Sequence, residues 1–158
     1  MTSESEQSRN SKQSIHFEIG ANCACLAVRK ASRLITQLYD HHLATVDLKI
    51  TQFTLLNAVA AGGSVPINAL ANALATDRTT LTRNLKPLQD QGLLALTASA
   101  EDRRVKLLSL TPSGKKLLAR AIPVWKKAHA EFLSKVGEAH WLHLSEDLSS
   151  VGQAIMSK

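Results

Sequence analysis

Aromatic residues are scarce in this chain, with three Phe, two Trp and one Tyr among 158 residues. Leu and Ala carry the apolar content instead, which favours helix. Cys23 and Cys25 are the only cysteines, so no disulfide framework is available,. The chain is long enough to bury a core without one. No apolar run approaches the roughly 18 residues that a membrane span needs. The opening "MTSESEQSRNSKQS" lacks the apolar segment of a secretory signal, so the expected location is cytoplasmic and no membrane partner is expected,. Residues 1–14 read as a disordered arm, too polar to fold alone,. A Gly-rich phosphate loop, a nucleophile elbow and a paired-carboxylate motif are all missing, which argues against an enzyme and for no cofactor.

What is present is positive charge, and it is concentrated. The formal net charge is +6. Between Thr76 and Arg120 lie nine basic residues: Arg78, Arg83, Lys86, Arg103, Arg104, Lys106, Lys115, Lys116 and Arg120. Only Asp77, Asp90, Glu101 and Asp102 oppose them, so this stretch holds five of the six excess charges. A local basic surplus points to a polyanion partner. Composition alone fits a solvated basic face equally well.

Periodicity organises the rest. From Asn22 to Leu43, Ala24, Ala27, Ala31, Leu34, Ile35 and Leu38 recur on one helical face, with Asn22 as N-cap,. A second helix after Thr51 presents Phe53, Leu56, Val59 and Ala60 and stops at Gly62–Ser64,. A short helix begins at Pro66. The next has Asp77 as N-cap, Leu81, Leu85 and Leu88 facing inward, and Gly92 as C-cap,. Two short helices joined by a tight polar turn form a helix-turn-helix pattern. The period then changes: "LLALTAS" and "VKLLSLT" read as a hairpin with "AEDRR" at its tip,. Thr111 and Pro112 open a long helix that Pro123 should bend,. A last helix runs from about Glu138 to Ile155, with Leu144, Leu148, Val151 and Ile155 as its stripe. The expected fold is mainly α, an α+β winged helix with a helical lobe built from both chain ends.

Helix-turn-helix followed at once by a hairpin suits duplex DNA. The second helix fits the major groove, where base edges present a distinct donor and acceptor pattern. Opposite its leucines it offers Arg78, Thr79, Thr82, Arg83 and Lys86. Thr79 at the helix start could hold a phosphate, and Arg83 is placed for bidentate reading of a guanine. Pro87 should kink or steer this helix after its first two turns. At the hairpin tip, Arg103 and Arg104 can reach the adjacent minor groove or its phosphates. Asp102 beside them could hold an arginine extended through a carboxylate–guanidinium pair.

These residues resemble the MarR family of bacterial transcription regulators. The resemblance runs from Ala21 to the C-terminus and is most specific from "TDRTTLTRNLKPLQDQGLL" through "EDRRVKLLSLTPSGKKLL". The family's wing signature falls on Asp102, Arg104, Leu110, Thr111 and Gly114. The resemblance implies that Arg104 is the wing arginine and Asp102 its orienting partner. It also implies a homodimer, with residues 15–47 and 112–158 forming a dimerisation region. Residues 48–111 would form the DNA-binding region, its recognition helix at about 77–91 and its wing at about 93–111. It implies repression at a pseudo-palindromic operator on double-stranded DNA, relieved by a small aromatic or phenolic effector. The effector pocket is expected between the dimer helices and the winged helix. Independently, the apolar stripes at both chain ends are too extensive for the elements of one subunit.

"NCACLAVR" is the other unusual stretch. With Asn22 as cap, Cys23 and Cys25 stand two apart on a helix and point to different sides, so they neither pair nor chelate easily. Cys25, in a first helical turn with Arg29 one turn on, is a candidate redox or electrophile sensor. Small residues packing a crowded dimer interface explain both cysteines at least as well. Arg29, Arg33 or His42 could pair an effector carboxylate, or serve as surface ion-pair partners. His140 and His143 have a metal-compatible spacing, but nothing closes the site, so no metal is expected.

Overall fold

A computed structural model describes residues 18–157. The expected disordered arm therefore lies outside the described residues. In chain order the elements are α1 (Ala24–Leu43), a 3-10 turn (Ala44–Val46), α2 (Ile50–Gly62), β1 (Ser64–Pro66) and α3 (Ile67–Ala73). There follow α4 (Arg78–Asp90), β2 (Leu94–Ala98), β3 (Lys106–Leu110), α5 (Pro112–Val136) and α6 (Glu138–Met156). The mainly helical winged-helix class is the observed one. Contacts divide the chain into two units, Met1–Gln37 and Leu38–Lys158.

The start of α1 differs from expectation. Residues 18–22 are already helical, so Asn22 belongs to that preceding segment and is not the cap. Cys23 directly precedes α1, and its Sγ accepts from the Leu26 N–H at 3.4 Å. Cys25 is therefore the second residue of the helix. On the expected apolar face, Ala24, Ala27, Ala31 and Leu34 are exposed, whereas Ile35 and Leu38 are half-buried. Full burial begins only with Tyr39 and Leu43.

The chain re-enters helix at α2 because two side chains take up its free amides. Asp40 Oδ1 accepts from the Ile50 N–H at 2.6 Å, and Gln52 Oε1 accepts from the Lys49 N–H at 3.0 Å,. Phe53, Leu55, Leu56 and Val59 are buried; Ala60, expected on the apolar face, is exposed.

The helix-turn-helix is bracketed by two C-terminal caps of one kind. After α3, the Thr76 N–H donates to the Ala71 carbonyl at 3.0 Å and the Ala75 N–H to the Asn72 carbonyl at 3.1 Å. After α4, the Leu93 N–H donates to the Leu88 carbonyl and the Gly92 N–H to the Gln89 carbonyl, both at 2.9 Å. Both are Schellman motifs, which require a left-handed residue just past the cap. Gly92 fills that place after α4, one residue beyond the Gln91 cap, at φ 67°. After α3 the place is held by Ala75 at φ 46°, where a Cβ is strained,. Ala75→Gly should therefore stabilise the fold by about 0.5–1 kcal/mol, less than the full strain because glycine orders at higher entropic cost. Urea unfolding measures this, and a loss of stability would contradict the cap.

The sheet has the order β1-β3-β2, with both pairs antiparallel. β3 is central: Leu108 faces Val65 on one side and Leu96 on the other, and is fully buried. The hairpin β2–β3 matches expectation. β1 was not expected, because three residues ending in proline carry no readable alternation. Its "SVP" also delivers Pro66 as the residue before α3.

Helix α5 is tied to the wing at its first turn. Thr111 caps it, accepting from the Gly114 N–H at 3.0 Å, with Pro112 in the first position,. The same hydroxyl donates to the Gly92 carbonyl at 2.7 Å, and the Thr111 N–H donates to the Leu93 carbonyl at 3.1 Å. One threonine thus holds the end of β3, the start of α5 and the exit of α4 together. Thr111→Ala should cost about 1 kcal/mol, read as a lower melting temperature. Helix α5 remains continuous through Pro123 for 25 residues.

Burial then fades along the chain. Leu118, Ala121, Ala128 and Phe132 of α5 are buried, but no residue of α6 is. Leu144 of the expected stripe is half-buried, while Leu148, Val151 and Ile155 are exposed.

Candidate nucleic-acid interface

Helix α4 is amphipathic in the way its sequence demands. Leu81, Leu85 and Leu88 are buried in the core with Leu56, Leu70 and Leu108. The Asp77 carboxylate caps the helix, accepting from the Thr80 N–H at 2.8 Å. Hydrogen bonds from the Thr80 side chain and backbone hold this carboxyl below its ordinary value,. The opposite face carries Arg78, Thr79, Thr82, Arg83 and Lys86, all exposed. They are not equivalent. The Thr82 hydroxyl donates back to the Arg78 carbonyl at 2.8 Å, leaving only its acceptor side for another partner,. Lys86 pairs with Asp90 one turn on, at 3.1 Å. The side chains of Arg78 and Arg83 have no ion pair among the described residues. Pro87 does not end the helix, which continues to Asp90. It deprives the Arg83 carbonyl of its helical donor.

The wing tip is built from its own polar side chains. The Ser99 N–H donates to the Val105 carbonyl, and the Val105 N–H to the Asp102 carbonyl, both at 2.9 Å. Ser99 Oγ accepts from the Glu101 N–H at 3.2 Å. Asp102 Oδ1 accepts from the Arg104 N–H at 2.9 Å and lies 3.4 Å from Arg104 Nε. The arginine is 94% exposed, so water screens the pair and it adds little stability,. Arg103 is exposed and has no ion pair among the described residues.

Elsewhere the chain's few aromatics gather in one place. Among the described residues, Tyr39, Trp125 and Phe132 pack against His129, and Phe53 and Trp141 extend the cluster through Trp125 and Phe132. Trp125 stacks on His129 at 4.8 Å and on Phe53 at 5.9 Å, and Phe132 meets Trp141 edge-on at 5.0 Å. Tyr39 Oη and His129 Nδ1 are 2.8 Å apart, and burial pushes the Tyr39 phenol up. These residues come from four helices and are far apart in sequence, so no local pattern announced the cluster. Beside it, His42 Nε2 contacts Glu131 Oε2 at 2.7 Å, and Lys135 lies 3.3 Å from Glu131 Oε1. His42 therefore already has a partner.

Hydrogen bonds from His42 and then Lys135 hold the Glu131 carboxyl below its ordinary range. A depressed carboxylate contributes stability that is fully present above its unfolded value and is lost as pH falls through its folded value. Melting temperature should drop through the acid range, and Glu131→Gln should flatten that slope. An identical acid slope in the variant would contradict this linkage.

The remaining sensor candidates lie in the first unit. Cys23 is half-buried, and Cys25, Arg29 and Arg33 are exposed. In the second unit a cleft of about 550 Å³ opens between the end of α2, β3 and the first half of α5. Leu110, Leu118 and Ile122 line it, with Ser109 and Lys115 as its polar side chains. Among the described residues, no three His, Cys, Asp or Glu side chains cluster as a metal site, and no helix is long and apolar enough to cross a membrane.

A groove-sized helix with a basic outer face, beside a hairpin that presents an exposed arginine, defines a winged-helix DNA-binding protein. Comparison with known proteins makes this specific. A family model of the MarR family matches residues 46–105. The transcriptional regulator HosA of Escherichia coli O157:H7 is 30% identical over 112 residues, covering 68% of this chain and 83% of HosA. The M. tuberculosis transcriptional regulator MosR, solved in complex with DNA, superposes with a TM-score of 0.76 at 36% identity, covering 85% of this chain and 96% of MosR. The transcriptional repressor CouR, bound to a 23-mer DNA duplex, has a TM-score of 0.75 at 25% identity, covering 85% and 95%. The chain belongs to the MarR family of DNA-binding transcriptional regulators.

Proposed function

We propose that this protein is a homodimeric repressor of a pseudo-palindromic operator, released by a small aromatic or phenolic ligand. The observation that carries the DNA half is the α4 face, where Arg78 and Arg83 are exposed and without an ion pair among the described residues, opposite a buried leucine row. Arg83 reads a base, Thr79 and Lys86 touch phosphates, and Thr82 contributes an acceptor. Arg104, oriented by Asp102, enters the minor groove beside Arg103. The likeness to CouR, a transcriptional repressor bound to a 23-mer DNA duplex, supports the repressor reading.

The dimer half rests on α6. A 19-residue helix with no buried side chain, presenting Leu142, Leu148, Val151 and Ile155 to solvent, is not a stable surface for a lone subunit,. The same holds for Leu26, Val28 and Leu34 of α1. Residues 15–47 and 112–158 form the dimer region, and residues 48–111 form the DNA-binding region. Two copies then present half-sites one helical turn apart, about 34 Å. Sedimentation equilibrium should return a dimer, and Leu148→Glu with Val151→Glu should shift it to monomer and abolish operator binding. Footprinting should show two protected segments one turn apart. A monomeric wild type with full operator affinity would sink this reading. The cleft at Ser109 and Lys115 suits a small carboxylate with an apolar body; Arg29 and Arg33, which line a cleft of the first unit, are a separate candidate, and His42 is the third, which would have to leave Glu131.

A second reading, thiol sensing, is favoured by the geometry before α1. The Cys23 thiol is the cap acceptor, so its oxidation by peroxide to a sulfenic acid changes the group that meets the Leu26 N–H, and Cys25 is open to solvent. Peroxide should release DNA from the wild type but not from a variant carrying both Cys23→Ser and Cys25→Ser. Equal release from both would end it.

A further inference from the structure

A small cleft lies between the start of α3, the start of α4 and the wing. We infer that it is the seat of one DNA phosphate, held by Arg78, Lys106 and Asn68. Lys106 and Asn68 were not among the residues expected to touch DNA. The inference rests on the DNA-binding reading and adds a site to it.

The argument starts from topology. If α4 occupies a major groove and Arg104 the adjacent minor groove, one sugar–phosphate strand separates them. That strand must pass between α4 and the wing. The cleft found there is lined by Asn68, Arg78, Arg104 and Lys106 over a floor of Pro66 and Ile67. Three of these residues are cations and none is an acid. Arg78 and Lys106 have no ion pair among the described residues, so their charge is free for an external anion. Arg104 is partly committed to Asp102 and sits at the rim.

Size narrows the occupant. The cleft offers about 110 Å³, the share of roughly four waters. That is well below the ~300 Å³ at which ordinary small-molecule sites begin. A space of that size suits an oxyanion group. Asn68 adds an uncharged donor from the first helix of the motif, so the phosphate would be gripped from α3, α4 and the wing at once. Such a contact fixes register and carries no base information.

The test uses full-length protein and a footprinted operator duplex in which each phosphate in turn is replaced by a neutral methylphosphonate. Lys106→Ala should weaken operator and random duplex by the same factor, about threefold to tenfold. It should reduce the salt slope of log K by about one, and Lys106→Arg should restore it. In each half-site one phosphate, between the α4 and wing footprints, should cost the wild type several-fold when neutralised and cost Lys106→Ala nothing. An unchanged salt slope, or additive losses at every phosphate, would overturn the seat. So would inorganic phosphate competing through Lys106 while the salt slope stays intact, because the seat would then hold a free anion. If Arg83→Ala also leaves operator affinity unchanged, it is the DNA-binding reading that has failed. If Arg83→Ala weakens the operator and Lys106→Ala does not, only the seat has failed.

Discussion

Gly114→Val should cost on the order of 3 kcal/mol or more and disable DNA binding without touching a DNA-facing residue. A Cβ built at Gly114 meets the Leu93 carbonyl oxygen at 2.1 Å, its carbon at 3.1 Å and Leu110 Cδ2 at 3.3 Å. The first two are backbone, so no rotamer change relieves them. The carbonyl cannot retreat cheaply, because it accepts from the Thr111 N–H at 3.1 Å and lies 3.3 Å from Thr111 Oγ1. Overpacking costs about 1–3 kcal/mol, and each hydrogen bond broken in the adjustment adds about 1. Gly114→Ala should show most of the same loss, since the first Cβ makes the contact. Ser113→Ala, at an exposed neighbouring position, should stay within about 0.5 kcal/mol of wild type,. Chemical denaturation measures all three. Wild-type stability in Gly114→Ala would mean that α5 does not approach Leu93 this closely.

That junction also shows what was legible beforehand. The run Leu110, Thr111, Gly114 was readable as a signature, and Thr111 as a cap, because capping is a local rule. Why a glycine must follow three residues later was not readable, since the atom it avoids belongs to Leu93, across the hairpin. The same division holds elsewhere. Asp77, Leu81, Leu85 and Leu88 announce α4 by spacing and cap chemistry. Ala75 hides a left-handed turn that glycine would have advertised. The cap of α1 is Cys23 and not Asn22, because a helical segment already runs through Asn22. The aromatic cluster joins Tyr39 to Trp141 through contacts that no window of sequence contains. For the DNA face, the sequence shows which side chains point away from the core. It does not show that Thr82 bonds to its own helix or that Lys86 is paired; the structure adds that Arg83, already singled out by sequence, and Arg78 are the cations of that face without an ion pair among the described residues.

Arg83→Ala should weaken operator binding by about 1–3 kcal/mol, roughly 5- to 150-fold, and relax preference at one base pair in each half-site. Binding to random duplex should fall far less, because non-specific affinity comes from phosphate charge and Arg83 is one cation among many. The reason for choosing Arg83 is geometric. It is exposed one turn into α4, on the face opposite the buried leucines, with no ion pair among the described residues to give up. Lys86, by contrast, must leave Asp90, which offsets part of any phosphate contact it makes. Arg104→Ala should differ in kind, weakening binding most where the flanking minor groove is narrow. Asp102 separates two roles at that tip. Asp102→Asn keeps an oxygen for the Arg104 N–H but loses the charge that holds the guanidinium; Asp102→Ala loses both. If orientation of Arg104 is what Asp102 supplies, both variants should weaken the operator although each removes a negative charge near DNA. Tighter binding in either would mean that Asp102 acts on DNA only as a repelling charge. Titration of labelled operator and random duplexes at fixed salt, with each variant's melting temperature as the folding control, decides all of these.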